Sequence, residues 1–201
     1  MLALLSNGIT SEKLHNELCK HIKGTKAAIV ITADNEYKSE NYHIPRCTKE
    51  LNALGLTAQL FDFDIQNAAE LLKYDVVYII GGNPYYLLNS IRKTNAEAIL
   101  KQIAEEKVLI GWSAGALVLT PSIAIIDKYS PEMNIFGISD LSGLCLTDSY
   151  ILPHYSKFLN RYENFEEKCK QYELDNRLQV IRLNDGEGVL IVDDKQIFIK
   201  D

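Results

Sequence analysis

Three runs of consecutive apolar residues limit the possible folds of this chain more than any other feature of its sequence. They lie within residues 26–32, 75–80 and 108–110, and none alternates between apolar and polar positions. A strand has this pattern when both of its faces are buried, as in a parallel sheet covered by helices on each side. Segments with helical character lie at 42–54, 67–73, 85–91 and 95–106. Because buried strands alternate with helices, we predict an α/β fold of three layers, with a doubly wound, mostly parallel central sheet.

The remaining segments extend this pattern over residues 1–201, which we predict to form a single domain. Further strands are predicted at 57–62, 150–152, 179–183, 188–192 and 196–200. The last two strands read as a hairpin, and a charged amphipathic helix is predicted over 162–174. The chain is long enough to bury one core, and no repeat or linker marks a second domain.

Composition and charge exclude several classes of function. With 47% hydrophobic and 24% charged residues, the chain has the composition of a globular protein. Its formal net charge of −6 argues against nucleic-acid and anionic-membrane partners. The apolar stretch Met1–Leu5 is too short for a signal peptide or a membrane helix, so we expect a cytoplasmic location. Four widely spaced cysteines and the absence of a phosphate-binding motif lead us to expect no metal and no cofactor.

Residues 108–116, Val-Leu-Ile-Gly-Trp-Ser-Ala-Gly-Ala, contain the pattern of a nucleophile elbow. A serine hydroxyl projects clear of the backbone only where the chain turns sharply from a strand into a helix, as Ser113 does in this reading. Gly111 and Gly115 permit the close backbone approach that such a turn needs. The helix that follows would direct free N–H groups toward an oxyanion. The same pentapeptide also occurs as an ordinary tight turn, so the serine needs partners to support a catalytic role.

A general base for Ser113 is sought among four histidines. His15 and His21 lie on an early polar helix and His43 lies in a polar stretch, so we interpret all three as solvated side chains. His154 instead follows a strand-like run and a proline, which places it at a strand end. We predict that His154 is the base.

The residues alone leave the acidic partner of the histidine open between Asp127, Asp185 and Glu187. Asp185 follows a strand directly in the turn Asn-Asp-Gly, a sequence that is equally common in turns without a catalytic role. The glycine pair Gly81–Gly82 also ends a strand, and a backbone N–H from this loop would complement the N–H that follows the nucleophile.

Five motifs give the chain a resemblance to the dipeptidase E family of serine peptidases, and the resemblance runs nearly from end to end. They are Ser-Asn-Gly at 6–8, Ile-Ile-Gly-Gly-Asn-Pro at 79–84, Gly-Trp-Ser-Ala-Gly-Ala at 111–116, Pro-His-Tyr at 153–155 and Asn-Asp-Gly at 184–186. Members resemble class I glutamine amidotransferase domains, with a flavodoxin-like sheet and a serine in place of the usual cysteine. The related cyanophycinases share this architecture.

The resemblance implies a role for each matching residue. Ser113 would be the nucleophile, His154 the general base and then acid, and the N–H groups of Gly82 and Ala114 the oxyanion hole. Asp185 stands where the family has a glutamate, one methylene longer, in a Pro-Glu-Gly turn.

Two further residues are expected to contact the substrate. Asn83 belongs to the Gly-Gly-Asn turn, and Arg161 is the only arginine between residues 155 and 165. In aspartyl dipeptidases an arginine of this segment binds the amino-terminal aspartate of the substrate, and Arg161 would be its counterpart.

We therefore predict a serine peptidase that hydrolyses small peptides through an acyl-enzyme on Ser113, in the manner of a dipeptidase and with Asp-Xaa as one candidate substrate. An esterase or amidase for another acyl substrate, or a catalytically idle relative that binds a ligand in the same cleft, are the alternatives. We expect a small peptide as the partner, no nucleic acid or membrane, and a monomer or homodimer.

Overall fold

A seven-stranded sheet runs through the centre of the computed structural model, which describes residues 1–200. The strands are β1 (Leu2–Leu5), β2 (Lys26–Val30), β3 (Thr57–Phe61), β4 (Val76–Ile79), β5 (Val108–Trp112), β6 (Tyr150–Leu152), β7 (Val180–Arg182), β8 (Gly188–Val192) and β9 (Lys195–Ile199). The α-helices are α1 (Glu12–Cys19), α2 (Ile44–Ala53), α3 (Pro84–Lys93), α4 (Glu97–Glu106), α5 (Ala114–Leu119), α6 (Tyr155–Arg161) and α7 (Phe165–Asn176). Short 3₁₀ helices lie at Lys38–Glu40, Ala68–Lys73, Ala124–Lys128 and Pro131–Met133.

The strand order in the sheet is β3-β2-β4-β5-β1-β8-β9. The first five strands in this order pair in parallel, whereas β8 pairs antiparallel with β1 and with β9. The structure thus confirms the predicted α/β fold with its mostly parallel sheet, and it confirms the hairpin at the carboxyl end. In such a sheet the carboxyl ends of the parallel strands share one edge, which is where ligands bind.

The core is divided into two clusters, one on each face of the sheet. Along β1, Leu2 and Leu4 belong to one cluster and Ala3 and Leu5 to the other, as expected for side chains that alternate across a sheet. Every residue of β4 and β5 is buried, which explains why those runs show no polar alternation.

No strand was predicted at β1, although this strand lies between β5 and β8 in the sheet. Leu2 pairs with Leu109 on one side and with Ile191 on the other. The strand is four residues long, and an apolar run this short does not by itself distinguish a strand from another buried segment. Its carboxyl end leads directly into Ser6 and Asn7.

Two sequence predictions need correction. The helix predicted over 162–174 begins at Phe165, because Asn164 adopts a left-handed conformation with φ of 52°. A separate helix, α6, precedes it. The strand predicted at 179–183 does not join the central sheet, since β7 pairs in parallel with β6 in a separate two-stranded sheet.

Among the helices of residues 1–200, none is long and apolar enough to cross a bilayer.

Candidate active site

Ser113 occupies a strained turn between β5 and α5. Its backbone has φ of 51° and ψ of −117°, a conformation that costs a non-glycine residue free energy and is found mainly at functional sites. The Ser113 carbonyl accepts hydrogen bonds from the N–H groups of Ala116 and Leu117, which fixes the first turn of α5. A Cβ atom on Gly115 would lie 2.3 Å from the Ile79 carbonyl oxygen, so only glycine lets α5 start this close to β4. The side chain of Ser113 is consequently held at the end of β5.

Two backbone N–H groups border the serine without a partner in the described chain. The N–H groups of Gly82 and Ala114 donate no hydrogen bond to any of residues 1–200. Gly82 has φ of 150°, and a Cβ there would lie 2.3 Å from the carbonyl oxygen of Ala33. Asn83 holds this turn in place: its N–H donates to the Ala33 carbonyl, and its side chain caps α3 through the N–H of Tyr85. The two unpaired donors are of the kind that stabilise an oxyanion.

His154 forms a close pair with Asp185. Its Nδ1 lies 2.7 Å from Oδ1 of the carboxylate. Since a carboxylate only accepts hydrogen bonds, Nδ1 carries the proton and Nε2 is left as an acceptor. His154 itself has a left-handed backbone, with φ of 57°, and its N–H donates to the hydroxyl of Ser6. Burial lowers the pKa of His154 below its usual value of 6.5, although Asp185 opposes this shift, so the imidazole is neutral at pH 7.

The Asp185 carboxylate is held by further donors. The Ser6 hydroxyl lies 3.2 Å from Oδ1, Asn7 Nδ2 donates to Oδ2 over 3.2 Å, and the Lys157 ammonium forms an ion pair with Oδ2. Burial raises the pKa of Asp185, but the hydrogen bonds from Lys157 and His154 outweigh it and hold the pKa below its ordinary value. The carboxylate is therefore ionised at neutral pH.

The other two candidate carboxylates have different partners. The hydroxyl of Tyr85 donates to Oδ1 of Asp127 over 2.5 Å. Glu187 accepts the N–H of Asn184 over 2.7 Å and so stabilises the turn that carries Asp185. Neither carboxylate forms an ion pair with a histidine in residues 1–200. Of the three, the geometry pairs Asp185 with His154.

Two cavities meet at Ser113. The larger, of about 600 Å³, is bordered by both Ser113 and His154, and the smaller, of about 310 Å³, by Ser113 and Ala114. Gly82 and Arg161 border both. Ser113 and Gly82 therefore lie where the two cavities meet, with His154 on the side of the larger cavity and Ala114 on the side of the smaller one.

The residues predicted to contact substrate both border the larger cavity, and they differ in how their polar groups are used. The side-chain oxygen of Asn83 caps α3, and its Nδ2 donates to the Met133 carbonyl over 2.8 Å, so the amide shapes the turn. Arg161 is exposed at the end of α6 and stacks on Tyr162, with 5.3 Å from the guanidinium carbon to the ring centroid. Its guanidinium makes no ion pair with any of residues 1–200. Arg161 is thus available to a ligand carboxylate.

His43 was interpreted as a solvated side chain, and the structure corrects this. It borders the larger cavity, and its ring packs edge-on against Trp112 with 5.1 Å between centroids. Burial first, and the nearby Arg46 charge second, lower the pKa of His43. A histidine and an indole therefore form one wall of the cavity.

A polar network that the sequence did not predict lies beneath this wall. Arg46 Nη1 donates to the Asn7 side-chain oxygen over 3.2 Å, and its Nε lies 3.4 Å from Oε1 of Glu50. Glu50 also accepts the hydroxyl of Tyr78 over 2.7 Å. This partly buried pair of Arg46 and Glu50 is linked to Asp185 through the side chain of Asn7. The one signal in the sequence was the polar Ser-Asn pair directly after the apolar residues of β1.

Residues 1–200 contain no group of three or more histidine, cysteine, aspartate or glutamate side chains arranged to hold a metal ion.

An elbow serine, a neutral histidine paired with a carboxylate, and two unpaired N–H groups form the arrangement typical of a serine hydrolase. Comparison with known proteins narrows this class. Residues 2–199 match peptidase family S51, and the chain therefore belongs to this family of serine-type peptidases.

Individual relatives support this assignment over most of the chain. A peptidase of Listeria monocytogenes whose function is uncharacterized is 30% identical over 183 residues, which cover 89% of this chain and 87% of that protein. Peptidase E of Escherichia coli is 23% identical over 200 residues, covering 94% and 86%. The crystal structure of a candidate peptidase E protein from Listeria monocytogenes superposes with a TM-score of 0.78 at 26% identity, over 99% of this chain and 97% of that one.

Proposed function

We propose that this peptidase hydrolyses small peptides through an acyl-enzyme formed on Ser113, with His154 as general base and acid and Asp185 as the residue that orients it. The observation that carries the proposal is the strained elbow at Ser113, which borders the same cavity as His154, whose Nδ1 lies 2.7 Å from Asp185. A strained nucleophile and an oriented neutral imidazole in one cleft are the requirements of acyl transfer.

In the acylation step the hydroxyl oxygen of Ser113 attacks the scissile carbonyl carbon while Nε2 of His154 takes the hydroxyl proton. The carbonyl oxygen becomes an oxyanion, which accepts hydrogen bonds from the N–H groups of Gly82 and Ala114. As the carbon–nitrogen bond breaks, His154 gives its proton to the leaving amine. The ionised Asp185 stabilises the imidazolium that exists between these two transfers.

In the deacylation step a water molecule attacks the ester carbon, and His154 takes a proton from that water. The ester bond to Ser113 breaks, the proton returns to the serine oxygen, and the acyl part leaves as a free acid. Both steps use the same base and the same oxyanion donors.

A preference for short peptides is proposed from Arg161. An unpaired guanidinium at the junction of the two cavities suits a carboxylate of the substrate, either the carboxyl terminus of a dipeptide or an acidic side chain. Asn83 supports substrate binding indirectly, because its hydrogen bonds fix the turn that presents the Gly82 N–H.

The test is amino-acid release from a dipeptide panel by the wild-type protein and by Ser113→Ala, with Ser39→Ala as a matched control. Ser39 is an exposed serine of a 3₁₀ helix. We expect Ser113→Ala to lower kcat by at least about 10³-fold, as removal of a nucleophile does, and Ser39→Ala to leave it unchanged. A fluorophosphonate should add one phosphonyl group to the wild type and none to Ser113→Ala. Activity that survives in Ser113→Ala would refute the proposal.

A further inference from the structure

The smaller cavity beside Ser113 has an apolar wall that the proposed mechanism does not use. Its volume is about 310 Å³, at the lower end of the range for ligand pockets. The wall is formed by the side chains of Leu117, Ile126, Tyr129, Met133, Phe158 and Tyr162. Leu117, Ile126 and Tyr129 are 4%, 2% and 9% exposed, so the floor of the cavity belongs to the protein core.

The aromatic side of this wall is rigid. The Tyr129 ring lies 5.4 Å from that of Phe158 and 5.2 Å from that of Tyr162, between centroids. Phe158 and Tyr162 pack edge-on at 5.3 Å. The Tyr162 hydroxyl accepts a hydrogen bond from the buried hydroxyl of Ser130 over 2.7 Å, so these two polar groups satisfy each other. A preformed aromatic wall of this kind favours flat or bulky apolar groups.

The smaller cavity has two charged residues, which carry opposite charges. They are Glu132 and Arg161, and both are exposed. A carboxylate placed on the apolar floor would lose its hydration without a buried cation to compensate, and Glu132 would repel it. The cavity is therefore poorly suited to an acidic side chain.

The positions of the catalytic groups define which part of a substrate enters this cavity. His154 must protonate the leaving amine, and it borders the larger cavity; among the described residues it does not border the smaller one. Ala114, which is proposed to bind the oxyanion, borders the smaller cavity. The leaving group thus faces the larger cavity, and the residue that supplies the scissile carbonyl faces the smaller one.

We infer that the smaller cavity selects a large apolar or aromatic side chain on the residue that supplies the scissile carbonyl, so that Phe-Xaa, Leu-Xaa and Met-Xaa are better substrates than Asp-Xaa. This inference rests on the proposed function of Ser113. Arg161, which also borders the larger cavity, then pairs with the free carboxyl terminus on the leaving-group side.

The test compares kcat/KM for Phe-Ala, Leu-Ala, Ala-Ala and Asp-Ala in the wild type, in Met133→Trp and in the control variant Ile65→Trp. Met133 is only partly buried, so a larger side chain can fill the cavity without displacing the core. We expect Phe-Ala to exceed Asp-Ala by at least about 100-fold, because single methylenes in an apolar pocket are each worth about tenfold or more. Met133→Trp should lower the ratio of the Phe-Ala value to the Ala-Ala value at least about tenfold, whereas Ile65→Trp should keep the wild-type ratio, because Ile65 is 82% exposed and borders neither cavity.

Two p-nitrophenyl esters separate failure of this inference from failure of the proposed peptidase activity. The acetate carries a small acyl group and the 3-phenylpropanoate a large one. If no peptide is cleaved but the phenylpropanoate is preferred in the wild type and not in Met133→Trp, the peptidase proposal fails and the assignment of the cavity stands. Preference for Asp-Ala or Ala-Ala among cleaved peptides overturns the inference, as does the absence of acyl preference in the ester pair when no peptide is cleaved. Should Met133→Trp not fold, the wild-type preferences alone decide.

Discussion

Replacement of Asp185 by asparagine tests the orientation of the histidine most directly. The asparagine amide can be placed in two ways. If its NH₂ group faces His154, Nδ1 must accept a hydrogen bond, and the proton moves to Nε2, where the base is needed. If its oxygen faces His154, the NH₂ group meets Asn7 Nδ2, which is itself a donor 3.2 Å from the original Oδ2.

The expected loss of kcat depends on which of these two orientations the asparagine amide adopts. The wrong tautomer in a Ser-His-Asp triad lowers kcat about 10⁴-fold. The alternative placement leaves donors facing each other at a cost of about 2–3 kcal/mol, which corresponds to about 10²-fold if it must be overcome in each turnover. Lys157, the second donor to Oδ2, adds less because its side chain is 63% exposed and can turn into solvent. We therefore expect Asp185→Asn to lower kcat by about 10²-fold to 10⁴-fold.

The assay is steady-state hydrolysis of the best dipeptide, with Asp127→Asn as the matched control. Asp127 receives its hydrogen bond from the Tyr85 hydroxyl, and an asparagine oxygen can accept the same bond, so this variant should retain wild-type kcat. Urea unfolding of each variant shows whether the fold is intact. A loss of less than about tenfold in a folded Asp185→Asn, or an equal loss in Asp127→Asn, would refute the role of Asp185.

Three further predictions follow from the site and the network beneath it. The pKa of His154 is lowered by burial, so kcat/KM should rise with pH to a midpoint below 6.5. The free energy of unfolding should fall as the pH drops from 6.5 to that midpoint, because the unfolded state binds more protons than the folded state over this interval; a kinetic midpoint above 6.5 would contradict this. Gly82→Ala should lower kcat by about 10²-fold to 10³-fold and lower Tm, since the new Cβ would lie 2.3 Å from the Ala33 carbonyl oxygen and would displace the N–H of this turn; unchanged kcat and Tm would show that the turn accommodates a Cβ without moving the N–H. Glu50→Gln should lower the free energy of unfolding by about 2 kcal/mol in a urea titration, because it leaves the partly buried Arg46 charge without its counter-ion. A variant as stable as the wild type would show that the ion pair contributes no net stability.

Much of the fold could be predicted from patterns within short segments of the sequence. The buried strands β2, β4 and β5 show as uninterrupted apolar runs because helices cover both faces of the sheet there. Ser113 was recognisable for the same reason, since its strand, turn and helix are consecutive in sequence. His154 and the Asp185 turn each follow a predicted strand, so the sequence alone indicates both as residues at strand ends.

Features that depend on distant contacts could not be predicted. The strand β1 is defined by its partners in β5 and β8 and not by its own four residues. Spacing could not choose between three carboxylates, because that choice depends on the 2.7 Å contact with His154. Lys157 gave no signal either, since an exposed lysine on a helix is ordinary until its partner is located.

The central position of β1 has a consequence for how the chain folds during synthesis. This strand is synthesised before both of its neighbours in the sheet, which are the strand that ends at Trp112 and the strand that begins at Gly188. Until Gly188–Val192 is synthesised, one edge of β1 has no partner, and an unpaired edge strand is the element most exposed to aggregation. Ser6 and Asn7, which follow β1, contact Asp185 and His154 only after β8 has joined the sheet. The hydrogen bonds that hold His154 and Asp185 in place therefore join residues far apart in the chain, so the site is completed only late in synthesis.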